Sequence, residues 1–386
     1  MTDLARLIES RDTIIVVGPG GVGKTTTSAA LAVHAARMGQ KVLVLTVDPA
    51  RRLATALGLG ELGHDECRVA PAHFAEAGVS LGSGALYAMM LDTKTTFDAL
   101  VVRHAPTPEA RDKILSNRYY QQASTALAGS QEYMAMEKLY ELRAERDYDL
   151  VVLDTPPAVN AADFFSAPER LIGFLDSGSL RFLMAGARRA SKLGFGLFNP
   201  LIERVMNRFI GAQTFVDLLG FIESFGSMFG GFSDRARSVA TLLHAPSTAF
   251  VVVTSTDVSA LDEAISLRDQ FARERMPFEA LVVNRMRAPY LDADALEGLS
   301  DRLLASTSGV AALRLYEERQ LTRACRRVER ACRDYAVLAR VDAERVRDLA
   351  DRLGGDGDQI WTVPLFDRDV HDIESLAAFA DHVFAG

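Results

Sequence analysis

A chain of 386 residues with 48% apolar and 24% charged residues can bury a sizeable core, and this composition excludes disorder as its main state. The formal net charge of −8 excludes nucleic acid as the principal partner, because sequence-independent binding needs a basic surface. Three cysteines (Cys67, Cys325 and Cys332) without a short Cys-x-x-Cys pair fit a reducing compartment and argue against a zinc centre or an iron–sulfur cluster.

Met1 to Arg11 lacks a basic start followed by an apolar core, so no secretory leader is expected and a cytoplasmic location is inferred. The first predicted strand, Thr13–Val17, runs into Gly18-Pro19-Gly20-Gly21-Val22-Gly23-Lys24-Thr25-Thr26, and an Ala-rich helical pattern follows. This is the G-x-x-x-x-G-K-[ST] phosphate loop in its strand–loop–helix setting. Its glycines let backbone N–H groups converge on phosphate oxygens at a helix N-terminus. Gly20, Gly21, Val22, Gly23, Lys24, Thr25 and Thr26 are therefore the phosphate-binding candidates. Lys24 is expected to reach the β- and γ-phosphates, and the Thr25 hydroxyl to bind Mg²⁺.

A second strand, Lys41–Val47, ends in Asp48-Pro49-Ala50-Arg51-Arg52. A carboxylate on this edge of the sheet can orient or deprotonate an attacking water, and Asp-Pro is equally good helix-start chemistry. A third strand, Leu86–Leu91, precedes helical patterning from Thr93 to Arg146. The fourth, Leu150–Leu153, delivers Asp154 at its C-terminal edge, where a phosphate-loop fold holds the Mg²⁺ carboxylate. Ala162 to His244 shows no convincing strand and is rich in Phe, Met and Gly; it reads as a helical insertion. Strands at Ala249–Thr254, Ala280–Val283 and Gln359–Val363 complete the series. Most are continuous apolar runs separated by helical stretches, which predicts an α/β fold with a doubly wound, mostly parallel sheet. Residues 1–161 and 245–386 would form one nucleotide-binding domain, and 162–244, with parts of 93–146, a helical subdomain. Arg314 to Leu353, with Leu321, Val328 and Tyr335 seven residues apart, predicts a charged helix pair packed on the sheet.

The order G-P-G-G-V-G-K-T-T, V-D-P-A, L-D-T-P-P resembles the arsenical-pump and tail-anchored-protein-targeting ATPases, a branch of the dimeric phosphate-loop ATPases. Matches at 86-LYAMMLD-92, 281-LVVNRM-286 and 363-VPLFDRDVHDIESLAAFA-380 extend the resemblance over nearly the whole chain. It implies ATP and Mg²⁺ as ligands, Asp48 acting on the hydrolytic water, and 154–165 as the segment reporting the γ-phosphate. It also implies that Asn284 reads adenine, with Pro364 and Leu365 lining the base. The N-K-x-D signature of guanine-specific relatives is absent from Asn284-Arg285-Met286-Arg287, which favours ATP over GTP.

In the resembled family, position 19 is a lysine that crosses the dimer interface to the other subunit's nucleotide. Pro19 has neither charge nor reach, and it lacks an N–H. Three answers are open. Arg51 or Arg52 supplies the cation, a lysine-bearing paralogue completes a heterodimer in place of a homodimer, or hydrolysis is slow. The resemblance further implies that the insertion forms an apolar groove for a client helix. The residues from Phe164 to Phe232 suit such a groove, and they equally suit a packed helical core. The glycine-rich 219–232 stretch predicts weak helices, and the basic 181–195 stretch could touch a membrane surface. The zinc-binding cysteine pair of eukaryotic targeting members is missing. So is the cysteine cluster of arsenite-pump members, which makes an oxyanion-transport motor the weakest expectation.

Overall fold

Alternation of apolar strands with helices produces one sheet in the computed structural model, which describes residues 3–48, 52–118, 120–121, 131–156, 166–175, 177, 228–307, 310, 316–354 and 359–385. Its strands are β1 (Thr13–Val17), β2 (Lys41–Thr46), β3 (Cys67–Arg68), β4 (Ala85–Met90), β5 (Leu150–Asp154), β6 (Thr248–Ser255), β7 (Phe278–Met286) and β8 (Ile360–Pro364). Their spatial order is β3-β4-β2-β5-β1-β6-β7-β8. All neighbouring pairs are parallel except β3, which runs antiparallel to β4 at the edge. Two residues are too few to show periodicity, so β3 leaves no signal in the sequence.

Burial explains why the central strands read as unbroken apolar runs. Every residue of β1, β5 and β6 is buried, and alternate side chains enter opposite cores. Ile14, Val16, Val44 and Val152 pack toward the helices Lys24–Arg37 and Ile373–Ala385. Ile15, Leu43, Val151 and Val252 face the helices Thr93–His104, Gln131–Glu145, Phe229–Leu243 and Val258–Glu274.

The helix Phe229–Leu243 carries Phe232, Ala236, Val239 and Leu243 into the second of these cores, together with Phe97, Tyr133 and Leu139. Phe232 is 3% exposed and its ring centroid lies 6.1 Å from that of Phe97. Of the two uses open to the phenylalanine-rich stretch, Phe232 takes packing. The side chains of the other phenylalanines from Phe164 to Phe229 lie outside the described residues, as do residues 181–195 and most of 219–232.

The expected helix pair near the C-terminus is instead a single helix of 35 residues, Glu318–Arg352. No Gly or Pro interrupts it, and Arg and Ala, both strong helix formers, dominate its composition. A reciprocal capping box between Glu317 and Gln320 starts it, and Gly354 at φ +90° follows its end. It is tied to the sheet by fully buried Asp342, which accepts the Arg287 backbone N–H and guanidinium, both at 3.1 Å. Among the described residues, no helix is long and apolar enough to cross a membrane.

Candidate functional site

The loop between β1 and the helix Lys24–Arg37 turns on three glycines with positive φ: Gly18 at +143°, Gly21 at +78° and Gly23 at +101°. A Cβ on Gly18 would lie 2.0 Å from the Val253 carbonyl oxygen, and one on Gly23 would lie 2.2 Å from Asn284 Nδ2. The loop backbone therefore presses against β6 on one side and against the Asn284 amide on the other. Gly20 is exposed and Val22 is buried beneath the loop, whereas Gly21, Gly23, Lys24, Thr25 and Thr26 line a cleft.

Lys24 is 7% exposed, and its Nζ donates to the carbonyls of Gly18 at 2.9 Å and Pro19 at 2.8 Å. Burial pushes its ammonium below the ordinary lysine pKa, against the opposing pull of Asp154, Glu263 and Asp48. Glu263, on the helix Val258–Glu274, has the complementary displacement: burial pushes its carboxyl up while Lys24 holds it down.

Asp154 ends β5 in register with both Val16 of β1 and Thr46 of β2. It is fully buried, and it accepts from the Thr25 hydroxyl at 2.8 Å, the Thr46 hydroxyl at 2.9 Å and the Ser28 hydroxyl at 3.4 Å. Burial raises its carboxyl to about 6, in spite of these donors and the charge of Lys24. Thr46 also accepts the Asp48 backbone N–H at 3.2 Å, which couples the second strand's end to Asp154. Asp48 is half-buried on the cleft wall with Arg52, and Arg51 lies outside the described residues.

The cleft holds about 790 Å³, within the range of sites that enclose a small ligand. At its far end the Asn284 side chain donates to the Val22 carbonyl at 2.8 Å and accepts the Arg285 N–H at 2.9 Å. Pro364 and Leu365 form the adjacent wall, fixed by the Leu365 N–H donating to the Met286 carbonyl at 2.9 Å. Apart from Arg51, the sequence-predicted residues thus meet at one edge of the sheet, at the C-terminal ends of parallel strands, which is where open α/β sheets bind ligands. Thr46, Ser28, Glu263 and Arg285 were not singled out by the sequence. Thr46, two residues before Asp48 on a strand, carried the only local cue, since alternate residues share a face.

The oxygens of Thr25 and Asp154 are hard donors beside a lysine, suited to Mg²⁺ that completes its shell with phosphate and water. Among the described residues, no group of three or more His, Cys, Asp and Glu could hold a metal by itself.

A family model described as anion-transporting ATPase matches residues 11–300. An uncharacterised protein of Streptomyces coelicolor is 34% identical over 181 residues, a match spanning 47% of this chain and 42% of that protein. A protein named ATPase GET3 from Malassezia globosa is 25% identical over 274 residues, covering 70% of this chain and 72% of its own. Its namesake from Rhodotorula glutinis is 25% identical over 288 residues, covering 72% and 71%. The family match takes in the loop, Asp48, Asp154 and Asn284, around a sheet of the expected kind. The chain belongs to the anion-transporting ATPase family.

Proposed function

We propose that this chain is a Mg²⁺-dependent ATP hydrolase that works as a dimer and uses its nucleotide state to switch a helical, apolar surface for partner binding. The observation that carries the reading is the buried Lys24 folded onto the Gly18 and Pro19 carbonyls, beside the Thr25–Asp154 pair. An ammonium held this way is poised to exchange two carbonyl partners for phosphate oxygens. Asp48 orients the attacking water or takes its proton; Thr25 and Asp154 would hold Mg²⁺, which would neutralise charge on the phosphates. Asn284, Pro364 and Leu365 receive the base. The helical stretch 162–244, with parts of 93–146, forms the switched subdomain. The partner class is an apolar helix such as a client membrane-protein segment; the resemblance to targeting ATPases and the GET3 relatives support it.

The first test is the solution mass of Asp48→Asn by light scattering, without nucleotide and with Mg²⁺-ATP, alongside phosphate release by the wild type. A monomer that becomes a dimer with ATP, and turnover that vanishes in the variant while ATP stays bound, is the expected result. A variant that hydrolyses like the wild type would remove Asp48 from the chemistry. One subunit's mass with ATP bound would point to a lysine-bearing paralogue as the missing half.

Pro19 favours a second reading, a nucleotide-gated binding module with little hydrolysis, because position 19 presents no cation to a partner site. Of Arg51 and Arg52, the two arginines that follow Asp48, Arg52 is described and lies exposed on the cleft wall. Negligible wild-type turnover with unchanged client capture by Asp48→Asn would select this reading.

A further inference from the structure

Among the described residues, two non-glycine positions have positive φ, Arg275 and Arg285. Arg275 caps the helix Val258–Glu274, where a left-handed residue is ordinary. Arg285, at φ +60°, lies within β7, where a left-handed arginine is unusual. The pairing of β7 with β8 is irregular at the same place, with a register shift between Val283 and Met286.

In a regular strand, successive side chains point to opposite faces. Here the irregularity sends two neighbours to the same loop. Asn284 donates to the Val22 carbonyl at 2.8 Å, and Arg285 Nη1 donates to the Gly21 carbonyl at 3.0 Å. An irregularity that re-aims a side chain beside a ligand cleft is a common use of strand bulges. Arg285 is exposed, and its side chain reaches from the end of β7 to the phosphate loop. It lines the same cleft as Pro364 and Leu365.

We infer that Arg285 is a base-covering residue: its stem and guanidinium form one face of a slot whose other wall is Pro364-Leu365, and a purine base of a nucleoside triphosphate fills it. This rests on the reading of the cleft as a nucleotide site. The guanidinium is planar, delocalised and weakly hydrated, so it stacks on an aromatic face better than an ammonium does. The larger π surface of a purine gains more from that contact than a pyrimidine. A group that reads a face does not tell adenine from guanine, so any such choice falls to the edge-reading Asn284. The same guanidinium holds the Gly21 carbonyl, and a seated base therefore steadies the phosphate loop.

Calorimetric titration of the full chain with Mg²⁺-ATP, Mg²⁺-UTP and Mg²⁺-tripolyphosphate tests this, using the wild type, Arg285→Ala, Arg285→Lys and Lys24→Ala. Loss of one stacked cation should weaken ATP binding to Arg285→Ala roughly tenfold and narrow the ATP-over-UTP preference. Tripolyphosphate affinity should stay within about twofold, since it has no base to cover. Arg285→Lys, which keeps stem and charge without the plane, should fall between. Equal losses for ATP and tripolyphosphate would mean Arg285 acts on the loop or phosphates, and unchanged ATP affinity would mean it does not touch the base; either overturns the inference alone. Wild-type chain that binds neither ligand, or Lys24→Ala that binds both normally, would overturn the nucleotide-site reading and this inference with it.

Discussion

The ammonium of Lys24 lies 2.8 Å from the carbonyl oxygen of Pro19, so the residue that removes an N–H from the phosphate loop still takes part through its carbonyl. The contact is made by backbone, which means that it survives any side chain at position 19. Pro19→Lys should therefore keep ATP affinity within about threefold and lose about 0.4–1 kcal/mol of stability through a freer unfolded chain. If closure lacks a cation, the same variant should raise turnover at least about tenfold, as added positive charge does at transferring phosphate. Phosphate release compared with equilibrium binding checks both. Unchanged turnover would show that another group already supplies the charge.

Two loop glycines have different reasons to be glycine, and denaturation can separate them. Gly18→Ala would set a methyl 2.0 Å from the Val253 carbonyl of β6, which is backbone within a buried strand and cannot yield. We expect a loss of about 3 kcal/mol or more, from overlap added to left-handed strain. Gly21 has open space around its Cβ position and only its φ of +78° to defend. Gly21→Ala should cost about 1 kcal/mol. Urea unfolding of the ligand-free chain gives both values, and equal losses would contradict the difference in packing.

His34, on the helix that begins at Lys24, stacks on Phe384 at 3.7 Å between ring centroids. Burial lowers its pKa to about 4, and the nearby Arg37 charge adds to the shift. A depressed folded pKa means the unfolded chain takes up the proton first. Stability from this residue is present above about pH 6.5 and is lost as pH falls toward about 4. We expect about 2 kcal/mol of pH-dependent stability, and His34→Phe should flatten that part of the profile. Thermal unfolding between pH 7.5 and 4.5 on wild type and variant is the measurement, with an identical slope in both as the contrary result.

Glu137 and Arg235 join the helix Gln131–Glu145 to the helix Phe229–Leu243 through a 2.6 Å ion pair, in which Glu137 is 1% exposed. Burial pushes the Glu137 carboxyl up while Arg235 opposes it, and the guanidinium also covers the Tyr140 ring at 4.2 Å. Removing one partner strands a buried charge, so Arg235→Ala should destabilise by about 3–5 kcal/mol. The double variant Glu137→Leu/Arg235→Met should lie close to the wild type, because desolvation disappears with the pair. A double-mutant cycle by chemical unfolding measures the coupling; additive losses would mean that the two residues are independent.

Local chemistry made much of this protein readable. The phosphate loop needs its glycines and lysine consecutively, so loop, strand and helix announce themselves within 13–37. Seven of the eight strands were legible as apolar runs, and β1, β5 and β6 must be apolar throughout because both their faces are buried, with Asp154 at the end of one. The helix over 318–352 was legible as helical, but its continuity was not. Seven-residue spacing in a charged stretch suits one long helix as well as two, and the choice was made by the absence of breakers together with the anchor at Asp342.

What the sequence determined by itself was the kind of each element and the identity of the phosphate-binding segment, because those depend on neighbours a few residues apart. The tertiary structure alone decided which strands adjoin. That choice puts Thr46 of β2 against Asp154 of β5, 108 residues away, and Asn284 and Arg285 against a loop more than 260 residues earlier. No periodicity encodes such meetings. They follow from strand order, and in the case of Arg285 from one irregular pairing in β7 that turns a side chain by half a strand repeat.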